Sequence, residues 1–167
     1  HSLLAYAGLK HGHTFVHEAI ADPAIRALTE RLMREEAAPT IAAAPGQDLD
    51  AYADALLARF ANPALQHRLI QIAMDGSQKV PQRWLETLAA NQAMGRQCPA
   101  ILSGIAAWVR HLRGENGLVD DPRATDLVAL AAGQDAADAL FGTFGMFASH
   151  WSLGDADRCQ INAALAS

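Results

Sequence analysis

The sequence predicts an all-α fold. Alanine-rich segments run the length of the chain, and no stretch shows the period-two alternation of a strand. Three Asx-Pro pairs, Asp22-Pro23, Asn62-Pro63 and Asp121-Pro122, place a capping side chain directly before a proline, as helix starts do. Taken in order, "SLLAYAGLKHGHTFVHEAIA" predicts a helix over 2–21 and the Asp22 cap a second over 23–36. The Ala- and Pro-rich 37–47 is a connection, and Asp48 opens a helix over 49–61. Asn62 opens 63–75, whose apolar face is Leu65, Leu69, Ile72 and Ala73, and Asp75-Gly76 closes it. Residues 77–80 read as a short link, because Val80 precedes a proline and should avoid the helical region. Pro81 suits the first position of a helix over 81–93. Helices then follow over 99–113, over 124–147 as a pair split near Gly133, and over 155–166, with Asp135 and Asp155 as N-cap candidates. Gly76, Gly95, Gly114 and Gly154 fall where helices should stop. The expectation is about eight helices in a single domain, 1–167.

Composition narrows the class. With 51% hydrophobic and 19% charged residues, signs interspersed, the chain reads as a soluble globular domain. A net charge of −5 with no arginine-rich run argues against a nucleic-acid partner. No apolar stretch approaches a membrane span. The two cysteines, Cys98 and Cys159, lack metal-type spacing and are too few for a disulfide framework, so a reducing cytoplasm is the expected location. The chain opens on residues already apolar and helix-like, which suggests a piece of something longer. It carries no glycine-rich loop after a strand, so any dinucleotide-binding domain lies outside it.

Candidate chemistry begins with the histidines. "HGHTFVHE" puts His13 and His17 four apart on one helical face, but the order is not that of a zinc protease and no third ligand is marked, so polar helix-end histidines are the plainer reading. Cys98 precedes a proline and has no marked histidine partner, and no G-x-S-x-G elbow exists. The aromatic residues Trp84, Trp108, Trp151, Phe141, Phe144 and Phe147 have the spacing of a core. That leaves "AMDGSQKVPQR", which holds Lys79, one of only two lysines. Lys79 and Arg83 sit at the positive end of the helix expected from Pro81, an arrangement disfavoured by a few tenths to about 1 kcal/mol each. An anionic or hydroxyl-rich ligand would offset that cost. So would plain ion pairs from Asp75 and Glu86, and the pattern leaves the two readings level.

"RFANPALQHRLIQIAMDGSQKVPQRWLETL" resembles the mannitol dehydrogenase family, the polyol-specific long-chain dehydrogenases that include fructuronate reductase (mannonate oxidoreductase). The opening "HSLLAYAGLKHGHTFVHEAIADPAI", "AAWVRHLRG" with the acidic loop after it, and "DADRCQINAAL" fit the same pattern, so the resemblance spans the chain. It implies a two-domain enzyme in which an N-terminal Rossmann domain holds NAD and a helical C-terminal domain, the part seen here, closes the substrate site. The family's catalytic motif is a lysine, four residues, an asparagine, two residues and a histidine. In that register His1 is the histidine, which hydrogen-bonds the reacting oxygen, and the lysine base lies upstream. Lys79 matches the family's substrate-binding lysine, with Arg83 beside it. Eight positions earlier, where mannitol 2-dehydrogenases carry an arginine, this sequence has Gln71.

The implied reaction is hydride exchange between NAD and a secondary alcohol of an open-chain sugar acid or polyol, and it needs no metal. With Gln71 replacing an arginine and two cations at one helix end, a sugar acid (fructuronate/mannonate) is favoured over mannitol. A phosphorylated polyol would demand more converging cations. A non-catalytic helical interaction module is the alternative from another class, and exposure of the face meant for the Rossmann domain favours homo-oligomers of the isolated piece.

Overall fold

Side-chain caps set the helix starts at Asp22 and Asp48, as the sequence marked them, whereas the candidates Asp135 and Asp155 make no cap bond. The Asp22 carboxylate accepts from the backbone N–H groups of Ala24 (2.9 Å) and Ile25 (3.3 Å), and Asp48 accepts from Asp50 and Ala51 at 3.0 Å each. Such caps satisfy donors that have no partner inside the helix. The structure, a computed structural model, describes residues 1–167. Its elements are α1 (Ser2–Lys10), α2 (Val16–Ala21), α3 (Pro23–Arg31), α4 (Leu49–Phe60), α5 (Leu69–Ile72), α6 (Gly76–Val80), α7 (Glu86–Ala93), α8 (Pro99–Leu112), α9 (Ala124–Ala131), α10 (Ala136–Phe141) and α11 (Asp155–Ala166). There is no β-strand, only an isolated antiparallel bridge between Phe15 and Arg68. No helix is long and apolar enough to cross a membrane.

The core forms around α8, which packs against α1 and α11. Almost all of α8 is buried, as is α1 from Ser2 to Gly8. Trp108 of α8 is 1% exposed and meets the rings of Phe141 at 6.2 Å and Phe147 at 6.0 Å. The N-terminus of α8 has no cap of its own, since Cys98 supplies no side-chain bond. Glu36 caps it from a distance, its two carboxylate oxygens accepting from Ala100 N and Ile101 N at 2.8 Å each. Burial raises the Glu36 carboxyl above its ordinary range, and the two N–H groups pull it back.

Several sequence expectations are corrected. The helix expected over 2–21 breaks after Lys10, because Gly12 adopts a left-handed turn (φ 80°) open to glycine. The helix expected over 63–75 is a single tight turn, Pro63–Leu65, then a left-handed Gln66 (φ 44°) and the short α5. The link expected over 77–80 is itself helical: α6 begins at Gly76, and Val80 is helical despite preceding Pro81. Pro81 is tolerated inside this helix because the next turn widens. The Glu86 N–H bonds Pro81 O, five residues back, over Pro81–Leu85. Gly154 precedes α11 rather than ending a helix, and Asp121, expected to cap one, accepts from Arg123 N at 2.8 Å just ahead of α9 but does not cap that helix, its carboxylate also holding Ser77. Phe144, expected in the core, is fully exposed (101%) because α10 stops at Phe141 and a turn from Gly142 to Gly145 carries the ring outward.

Candidate functional site

The segment "DGSQK" is built from three long-range constraints. Asp75 takes the left-handed conformation (φ 57°) normally left to glycine, and its N–H donates to Asp120 O at 3.0 Å. Gly76 passes so close to the core that a Cβ there would lie 2.5 Å from Trp108 Nε1 and 2.8 Å from the Tyr6 hydroxyl. Only glycine fits. Ser77 then donates from its N–H and its hydroxyl to the two carboxylate oxygens of Asp121, each at 2.7 Å. Asp121 thus caps α6 from 44 residues away, placing a negative charge at the positive end of that helix.

Lys79 follows, half-buried in the last turn of α6. Its Nζ donates to Ile72 O at 3.1 Å and Met74 O at 2.6 Å. An ammonium has three donors, so one N–H is left for a ligand. Arg83, one helical turn on, reaches the Ser2 hydroxyl at 3.4 Å and so ties α1 to this helix. Neither cation joins an ion pair, so of the two readings left open the one with pairs from Asp75 and Glu86 is not met.

The structure brings all four residues singled out from the sequence, His1, Gln71, Lys79 and Arg83, to one cleft of about 350 Å³. Two further residues line it that sequence reasoning missed, His67 and Arg68. They escaped notice because a continuous helix over 63–75 would have scattered them around its surface. Instead the left-handed Gln66 ends the preceding turn, and two backbone bonds, Val16 N to His67 O (3.0 Å) and Leu69 N to Thr14 O (2.9 Å), pin His67 and Arg68 at the mouth. The His1 ring packs on Phe60 at 4.5 Å and faces the His67 ring at 6.4 Å. The lining contains three cations, two imidazoles and an amide, with no carboxylate. A second, mostly apolar hollow of about 460 Å³ adjoins it, sharing His1 and Arg83 and walled by Leu3, Leu32, Met33, Leu56 and Phe60.

The histidine pair expected from the sequence is rearranged. His17 stacks on Phe15 at 5.6 Å, while His13 is turned toward His11 and Asp22.

An all-helical domain with a cationic cleft defines the class, and comparison with known proteins gives the family. The sequence profile of the mannitol dehydrogenase C-terminal domain matches residues 1–151, and the chain belongs to that family. It is 39% identical over 156 residues to D-mannonate oxidoreductase of Escherichia coli, covering 89% of this chain and 32% of that protein. It is 39% identical over 136 residues to a mannitol 2-dehydrogenase of Phaeosphaeria nodorum, covering 78% of this chain and 24% of that protein. The fold superposes with a TM-score of 0.85 and 30% identity on Pseudomonas fluorescens mannitol 2-dehydrogenase in its ternary complex with NAD and D-mannitol, over 99% of this chain and 35% of that one. The chain therefore spans about a third or less of the length of these relatives.

Proposed function

We propose that residues 1–167 form the C-terminal substrate domain of an NAD-dependent oxidoreductase acting on a secondary alcohol of an open-chain sugar acid, with the fructuronate/mannonate pair as substrate. The observation that supports this most is the cleft itself: Lys79, Arg83 and Arg68 converge on it and no carboxylate neutralises them. Charge-assisted bonds to an anion are roughly twice as strong as those to neutral hydroxyls, so this lining favours an acid over a polyol. The family relation to E. coli D-mannonate oxidoreductase points the same way.

The chain has no strand and no glycine-rich loop leading into a helix, so its residues do not fit a dinucleotide. NAD, which would accept or return the hydride, belongs to a partner Rossmann domain. The residues here bind and orient the substrate. His1, held against Phe60, would donate to the reacting oxygen and stabilise the developing alkoxide or polarise the ketone. Lys79, with two of its donors fixed on backbone carbonyls, would aim the third at a substrate oxygen. Arg83 and Arg68 would hold the carboxylate, and Gln71 a hydroxyl, so that the reacting carbon is placed once and for all. The apolar hollow beside the cleft is the face that the Rossmann domain would close, shedding water from the site. Both cysteines are free, in keeping with a cytoplasmic enzyme.

The test is a substrate panel on the full-length enzyme with NAD. Mannonate should be oxidised with higher kcat/KM than mannitol or arabinitol. If either neutral polyol wins, the carboxylate reading falls and a polyol 2-dehydrogenase takes its place. Failure of all three would leave the non-catalytic module.

A further inference from the structure

We infer that His11, His13 and Asp22 form a divalent transition-metal site of the zinc type, separate from the substrate cleft. The three ligand atoms, His11 Nδ1, His13 Nε2 and Asp22 Oδ2, lie within 4.8 Å of one another. Asp22 Oδ2 is 3.1 Å from His11 Nδ1 and 3.4 Å from His13 Nε2. In a tetrahedral site with metal–ligand bonds of 2.0–2.1 Å, neighbouring ligand atoms are about 3.3 Å apart, so these two edges already have the required length.

The sequence places the ligands by simple means. Where α1 ends, Gly12 (φ 80°) turns the chain back, with His13 N bonded to Gly8 O at 2.9 Å, and both imidazoles come to the same side. Asp22 stands at the start of α3, and its Oδ1 is engaged by Ala24 N and Ile25 N. Those bonds fix the carboxylate and leave Oδ2 to the histidines, which is the orientation a second set of partners gives a metal-binding carboxylate. His11 is 41% exposed at its side chain, so the fourth position faces solvent and can hold water. Two neutral imidazoles and one carboxylate are a donor set suited to Zn²⁺. The nine residues of α1 separate this cluster from His1, about 14 Å at 1.5 Å per residue. A metal here would brace the end of α1 against the start of α3 and thereby steady the helix that begins at His1.

The experiment uses the protein with Cys159→Ser, which removes the exposed thiol as a competing ligand. Co²⁺ titration should give the visible absorption of a tetrahedral site at one ion per chain, and Zn²⁺ should raise the thermal midpoint. Asp22→Asn keeps the helix cap, since asparagine caps as well as aspartate, and removes the anionic ligand. His13→Gln removes a ligand at a half-buried position without touching the cap. Each should weaken Co²⁺ binding at least tenfold and abolish the Zn²⁺-induced shift, while far-UV circular dichroism confirms folding. Absence of both signals in the parent protein overturns the site. So does a Co²⁺ spectrum that survives either substitution, which would place the ion elsewhere.

Discussion

At the scale of single residues, Lys79 is the best-defined part of the cleft. An exposed lysine would cost side-chain entropy to order on binding, but this one is already held by two carbonyls, at 2.6 and 3.1 Å. Loss of one charge-assisted bond to substrate is worth about 1.5–3 kcal/mol. Lys79→Ala in the full-length enzyme should therefore raise KM on the order of tenfold or more while changing kcat less. His1 is proposed as the donor to the reacting oxygen, so replacing it should lower kcat by about a hundredfold, as loss of an oxyanion donor does. Arg68→Gln separates acid from polyol: it should reduce kcat/KM for mannonate about tenfold and leave mannitol nearly unchanged. Steady-state kinetics of the three variants on both substrates check these outcomes. Equal losses for acid and polyol in Arg68→Gln would mean that Arg68 acts by shaping the mouth and not by charge.

At the scale of elements, what was legible in the sequence depended on how local the determining contacts are. α4 begins at Leu49 and α8 spans almost the range expected, because the Asp48 cap and Pro99 mark their starts locally; α11 begins at Asp155 as expected, though no side chain caps it. The region from Pro63 to Leu85 was misread for the opposite reason. Its breaks and starts are set by Asp120, Asp121, Trp108 and Thr14, all far away in sequence. Lys79 was legible through the "DGSQK" resemblance and Arg83 as a second cation nearby, whereas the place of His67 and Arg68 in the cleft needed the break at Gln66 to be known. The same long-range logic makes Glu36 an element-scale test. Glu36→Ala would leave the buried N–H groups of Ala100 and Ile101 without partners, at about 1–3 kcal/mol for each unsatisfied donor. Chemical denaturation should show a loss on the order of 3 kcal/mol with an unchanged slope. A loss under about 0.5 kcal/mol, the scale of an ordinary surface substitution, would show that α8 starts without this cap.

At the scale of the whole molecule, the chain has one helical core and no β-strand from which a strand–loop–helix turn could start. Of its buried residues, 34 form one hydrophobic cluster drawn from α1 through α11. The long α8 packs against α1 and α11, which come from the two ends of the chain, so the core joins distant segments into one unit. Nothing in this arrangement offers the strand–loop–helix turn whose backbone N–H groups cradle a pyrophosphate. Among the three longest helices, α4 and α8 have their starts occupied by Asp48 and Glu36, and α11 carries Asp155 and Asp157 in its first turn, all of which would repel a phosphate. The 167-residue chain alone should therefore unfold cooperatively when followed by far-UV circular dichroism, yet give no saturable heat with NAD in calorimetry at ordinary concentrations. Saturable 1:1 NAD binding would place a cofactor site within these helices and undo the division of labour proposed for the enzyme. A non-cooperative melt would instead show that the cationic cleft and its apolar neighbour need the Rossmann domain for their shape as well as for their chemistry.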